Sequence, residues 1–205
     1  MNINTPLEEK LVEQGYHTFS LQEKNSLIAI LANREDLVYS DIDEDYILTY
    51  HKSLKEQLLA ETCEATILEG FTASNGHFYR TNRDDQVNMI GQKDELNADP
   101  TITAVPWKTE DAGYIVHTKE EWLEVYKEAF GFKKTQLFKY NTLKQRVAAA
   151  TQHDEIVAIT WDADEVTPPT APETPQEQPP TEETTPVTQQ SSNKTLFQIF
   201  NRGKK

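Results

Sequence analysis

Apolar stripes along the chain are separated by caps and turns. Thr5-Pro6-Leu7-Glu8 predicts a helix start, with Thr5 as cap, Pro6 at the first helical position and Glu8 where a capping box wants an acid. Gly15 stops that helix near Gln14. Tyr16-His17-Thr18-Phe19 alternates and predicts a short strand. Ser20-Leu21-Gln22-Glu23 is a second capping box, and Leu27, Ile28 and Leu31 supply an apolar face through Ala32. From Val38 to Tyr50 acids mix with β-favouring residues, which predicts a loop and then a strand over Tyr46–Tyr50. Ser53-Leu54-Lys55-Glu56 opens a third helix running to about Glu61.

The middle of the chain predicts two hairpins. Ile67–Ala73 and His77–Thr81 flank Ser74-Asn75-Gly76, and Asn-Gly between alternating residues is a strong hairpin signal because both positions tolerate positive φ. Asp84–Asn97 reads as a helix with Val87, Ile90 and Leu96 inward, ended by Asp99-Pro100. Thr103–Lys108 and Tyr114–Thr118 form the second hairpin around Glu110-Asp111-Ala112-Gly113. Thr118 then caps the longest helix, Lys119 to Ala150, with a stripe through Trp122, Tyr126, Ala129, Lys133, Leu137, Tyr140, Leu143 and Val147. Gly131 is a candidate bend in it, and a last short helix, capped near Thr151–Asp154, is expected to end at Trp161. The predicted class is α+β: two β-hairpins packed against long helices, preceded by a mostly helical N-terminal segment.

Composition changes this picture only after Trp161. Seven of the ten prolines lie between Pro168 and Pro186, and large aliphatic residues almost vanish between Asp162 and Asn193. Such a segment cannot bury enough apolar surface to offset its ordering entropy, so a disordered linker with polyproline II character is expected over 162–193. Leu196-Phe197-Gln198-Ile199-Phe200 is then a compact apolar tip, followed by Arg202, Lys204 and Lys205. The expected organisation is thus 1–64 helical, 65–161 α+β, 162–193 linker and 194–205 docking tip.

Charge and cysteine usage exclude several classes. Of the net charge of -14, residues 1–161 carry -11, the linker -7 and the tip +4. An acidic body repels phosphate backbones, so direct nucleic-acid binding through a broad basic face is not expected. Cys63 is the single cysteine, which leaves no disulfide framework and no multi-cysteine metal site. The N-terminus has no basic region followed by an apolar one, and no run approaches eighteen apolar residues, so neither a signal peptide nor a membrane span is expected.

The order of elements from Ala65 to Trp161 carries a resemblance. Asn75-Gly76-His77, Asp85-Gln86-Val87-Asn88-Met89, Trp107-Lys108-Thr109 and Ile156-Val157-Ala158-Ile159-Thr160-Trp161, in that order, resemble domain-of-unknown-function family 4376. That family recurs in tail-fibre, baseplate and other tail-module proteins of tailed bacteriophages. The resemblance covers roughly the middle half of the chain. It implies a virion-tail setting, reached from the host cytoplasm during assembly, with other tail or baseplate proteins as partners, and it implies no particular chemistry.

Candidate chemistry is sparse. Asp41, Asp43 and Asp45 alternate, but the sixth and twelfth positions of a calcium loop counted from Asp41 are Tyr46 and Lys52, so the motif fails and a solvated loop is expected. No two of His17, His51, His77, His117 and His153 stand at metal-ligand spacing, although His77 and His117 sit on the two hairpins, where they could approach each other. Cys63 reads as a small buried hydrophobe. Trp107, Trp122 and Trp161 read as anchors of one core rather than as a sugar-stacking platform. No phosphate-cradling glycine loop or nucleophile elbow is present. No catalytic residue, cofactor or metal is therefore assigned.

The reading that results is a non-enzymatic tail-module structural or adaptor protein. Its partner-binding residues are Leu196, Phe197, Ile199 and Phe200, presented on a flexible tether. The long helix, with Tyr126, Phe130, Phe132, Phe138 and Tyr140 spread over more than one face, leaves a second chain, including a second copy, as a further partner. The alternatives are a tail-fibre assembly chaperone absent from the virion, a clamp-docking adaptor with Asn193 where such peptides carry glutamine, and a cell-wall-acting enzyme.

Overall fold

The computed structural model describes residues 5–163, which fall within one compact unit of the chain. The linker from residue 164 onward and the tip lie outside the described residues.

Three helices open the fold. In α1, Pro6–Gln14, Thr5 accepts from the Glu8 N–H and donates its hydroxyl to the Glu8 carboxylate, so the expected cap forms. The Tyr16–Phe19 segment is not a strand: Tyr16–Thr18 is a 3-10 turn, with Thr18 and Phe19 bonded back to Gly15 and Tyr16. Its alternation arises from Tyr16 and Phe19 folding inward across one turn, their rings 5.6 Å apart. In α2, Leu21–Glu35, the Ser20/Glu23 box forms in both directions, and the helix ends on Asp36 in the left-handed region.

The largest departure from expectation is α3, Glu44–Glu69. It absorbs the expected strand at Tyr46–Tyr50, the short third helix and the start of the first hairpin. The buried positions Ile47, Tyr50, His51, Leu54, Leu59, Cys63 and Ile67 recur at helical spacing straight through those boundaries. Asp43, read as part of a solvated loop, is the N-cap and accepts from the Tyr46 N–H at 2.8 Å. Later in the helix two threonines are accommodated by back-bonding, Thr62 to the Leu58 carbonyl and Thr66 to that of Thr62, both at 2.8 Å. The boundary expected between residues 64 and 65 falls inside this helix.

Both hairpins form. The first is short: β1, Phe71–Thr72, pairs antiparallel with β2, Phe78–Tyr79. Gly70 joins α3 to it at φ 121°, and an added Cβ would meet the Tyr79 carbonyl oxygen at 2.2 Å, so the joint requires glycine. At the turn only Gly76 has positive φ. The Gly76 N–H bonds to the Ala73 carbonyl, so Ser74-Asn75 form an ordinary turn closed by a left-handed glycine rather than a two-residue Asn-Gly turn. The second hairpin pairs β3, Ala104–Thr109, with β4, Gly113–Thr118, at the expected place, with Gly113 in the strand opposite Thr109 rather than in the turn.

Between the hairpins lies α4, Arg83–Ala98, capped by Asn82. Its buried residues are Met89 and Leu96, whereas Val87 and Ile90, expected inward, are 68% and 52% exposed. The helix α5, Lys119–Ala149, runs unbroken through Gly131 for about 46 Å. The last helix, α6, spans His153–Ala158 and stops before Trp161, since Ile159 is already extended. The α+β class is borne out, with helices dominating and two antiparallel hairpins laid on α4 and α5.

Three apolar clusters hold this together. Leu11, Leu27, Leu31, Ile47 and Leu54 fill the space among α1, α2 and the first half of α3. Phe71, Tyr79, Leu96, Val105 and Trp122 lie under the hairpins. Leu59, Leu143, Val147 and Ile159 join α3 to the end of α5 and the residues after α6.

Candidate functional site

The four tip residues Leu196, Phe197, Ile199 and Phe200 lie outside the described residues. What the fold does place is an apolar groove where α3, α4 and α5 meet. One end is a cavity of about 140 Å³ walled by Met89, Ile90, Tyr126, Ala129 and Phe130. The other, of about 380 Å³, is walled by Cys63, Leu68, Leu137 and Tyr140. Ile67, Gln86 and Lys133 line both, so the two adjoin. Lys133 donates to the Gln86 side-chain oxygen at 2.5 Å, joining α5 to α4 there.

The groove exists because of two helix phases. On α4 the turn that buries Met89 leaves Val87 and Ile90, one turn apart, facing out. On α5 the residues that enter the cores are Trp122, Val125, Ala129, Leu143 and Val147, while Phe130 and Leu137, two turns apart, remain 57% and 48% exposed. The stripe expected on α5 is thus only partly a core stripe: Leu137 belongs to the uncovered surface. Phe132 turns the other way and stacks on Phe71 at 5.5 Å.

The two hairpin histidines take separate partners. His77 Nδ1 lies 2.7 Å from Asp111, whose carboxylate is held down to about 2 by that contact and by the Phe78 N–H. His117, 3% exposed, sits between the Tyr79 hydroxyl at 2.7 Å and the Val105 carbonyl at 3.3 Å. A carbonyl can only accept, so Nδ1 carries the proton and Nε2 accepts from Tyr79, which in turn accepts from Asn75 at 2.7 Å. Burial raises the Tyr79 phenol further above its ordinary value. This chain of hydrogen-bonded groups staples one hairpin to the other.

The tryptophans do not share one core. Trp122 is fully buried with Trp107 edge-on at 5.2 Å, whereas Trp161 joins the α3–α5 cluster and receives Lys139 at 5.0 Å from its ring. Cys63 is 3% exposed with its thiol pushed up by burial, in keeping with a small buried hydrophobe. Among the described residues no three His, Cys, Asp or Glu side chains are placed to hold a metal ion, and no helix is long and apolar enough to cross a membrane.

Two polar clusters escaped sequence reasoning because their members are far apart in the chain. Glu8, fully buried, accepts from Arg34 at 2.6 Å and from the Tyr50 hydroxyl, and Arg34 also reaches Tyr50 at 2.8 Å. Burial, and then Glu8, raise the Tyr50 phenol well above its ordinary range. His51 and His153, 102 residues apart, place their Nδ1 atoms 2.9 Å from each other. The pattern left one signal for each: an acid in the apolar stripe of α1, and a histidine in that of α3.

Comparison with known proteins adds one assignment. The family model described as Domain of unknown function (DUF4376) matches residues 50–167, more than half of the chain. The chain belongs to that family. No curated protein and no solved structure matches it.

Proposed function

We propose that this member of the DUF4376 family is a non-enzymatic structural or adaptor protein of a bacteriophage tail module, and that the α3–α4–α5 groove receives an apolar stripe of another tail protein. The tail setting is what the family resemblance implies. The docking role is supported by the groove itself, where Ile90, Phe130 and Leu137 lie exposed along two adjoining hollows and Val87 is exposed one turn from Ile90 on α4. Monomeric proteins seldom leave large apolar side chains together without a partner to cover them. Their one-turn and two-turn spacings suit a helix laid in the groove, its residues at steps of three and four filling the gaps. Covering the exposed parts of four such side chains is worth roughly 3–6 kcal/mol before association costs. The tip Leu196–Phe200 serves as a second attachment, with 162–193 as its tether.

Mass spectrometry of purified particles tests this reading. Wild-type protein is expected in fixed copy number, and Ile90→Ser with Phe130→Ser is expected to reduce incorporation at least tenfold while the free protein stays folded. Absence of the wild-type protein from particles, with full function in tail-fibre assembly, would instead assign it to the assembly chaperones.

A further inference from the structure

We propose that α6 is an acid-released latch: it stays docked while His51 and His153 share a proton between facing Nδ1 atoms, and it lets go when both rings are charged. The two imidazoles meet edge to edge, with centroids 5.2 Å apart and planes 17° from parallel. His51 is fully buried on α3, and His153 is the first residue of α6. At 2.9 Å one Nδ1 must donate and the other accept, so the contact tolerates one proton between them and forbids two.

The surroundings decide which ring does which. His51 Nε2 makes no hydrogen bond, so nothing beyond the 2.9 Å contact would hold a proton on that ring. His153, at the start of α6, is only half-buried. A first proton therefore enters on half-buried His153 and keeps the bond, and the second, on His51, sets two N–H groups against each other.

The charged groups facing the pair come from every neighbouring element. Lys55 of α3, 5% exposed, donates to the Val157 carbonyl of α6 at 3.4 Å. Lys24 of α2 lies 4.5 Å above the Tyr16 ring, which itself packs on His153 at 5.5 Å. His17 of the 3-10 turn disfavours charge on His153, while Glu44 of α3 and Asp154 of α6 favour it. Burial is the largest effect on both rings and holds His51 down to about 3. The pair is neutral at pH 7.5.

The sign follows directly. Both rings are lowered in the docked state, so docking is at full strength above the ordinary value of 6.5 and weakens as pH falls below it. Undocked, the two histidines take up two protons; docked, at most one. Each extra proton shifts the balance tenfold per pH unit. Release would uncover Ile156 and Ile159, now 0% and 4% exposed. It would also free the last described helix before the tether.

Hydrogen exchange of the full chain at pH 7.5 and 5.0, corrected for intrinsic rates, tests the latch. Protection of amides 155–159 is expected to fall at least tenfold more than that of the middle of α5. His51→Asn with His153→Asn, which offers an amide at each Nδ1 position without titrating, should remove that difference. A fall no larger than in α5, or an equal fall in the asparagine pair, would overturn the proposal. Should that variant not fold, imidazole titration of the wild-type protein by NMR decides. His51 should stay neutral until α6 protection is lost, and two independent titrations near 6.5 with α6 still protected would refute the latch.

Discussion

The core of α1, α2 and early α3 and the core beneath the hairpins are built from similar numbers of apolar side chains but finish differently. In the first, Leu11, Leu27, Leu31 and Leu54 are fully buried, and the remaining gap is closed by charge, with Glu8 held by Arg34 and Tyr50. In the second, Trp122, Tyr79 and Leu96 are sealed, yet Ile90, Phe130 and Leu137 stay exposed along the groove and Val87 is exposed beside them on α4. Three helices can turn their apolar stripes toward one axis. The short hairpin, two residues per strand, is too small to cover both α4 and the middle of α5. The first core is complete as a fold. The second leaves apolar side chains uncovered, and the family match, from residue 50 onward, takes in all of the second and little of the first.

The comparison breaks most visibly at the centres of the two cores. Trp122→Ala should cost about 3–5 kcal/mol in urea unfolding, because a fully buried indole leaves a large cavity. Trp122→Phe should cost less than half of that, since the buried indole N–H makes no hydrogen bond and its loss removes an unsatisfied donor. Glu8→Ala should cost about 3 kcal/mol by stripping Arg34 and Tyr50 of their shared acceptor inside the first core. Tyr50→Phe, which leaves the ion pair and removes one hydroxyl, should cost about 1–2 kcal/mol. On the outer face of α4 Val87→Ser should change stability by less than about 0.5 kcal/mol, as expected of an exposed site. A loss above about 1.5 kcal/mol there would mean that the second core extends to α4's outer face, and the contrast between the cores would fail.

Sequence patterns predicted the caps and turns well, because those signals are local. Thr5, Ser20 and Thr118 each cap the helix expected of them, and both hairpins sit where their turns predicted. The strand expected at Tyr46–Tyr50 failed because acids and β-favouring residues suggested local extension while the helical spacing of Ile47, Tyr50, Leu54 and Leu59 ran on across the gap. On α4 the choice of Val87 and Ile90 as inward residues was a phase error, and it concealed the groove. Which side of an amphipathic helix is buried depends on its neighbours, and Met89 joins the cluster formed by the hairpins and α5. The His51–His153 contact had no local signature at all.

The central claim is that the uncovered apolar strip of the second core is a contact surface and the closed first core is not. The most direct measurement places a photo-crosslinking benzophenone side chain at Phe130, in the groove, or at Leu21, 76% exposed on the first core, and irradiates assembled tail modules. The account predicts one defined cross-linked partner from position 130 and only scattered weak products from position 21. Equal labelling from both positions, or a defined partner from 21 alone, would contradict it.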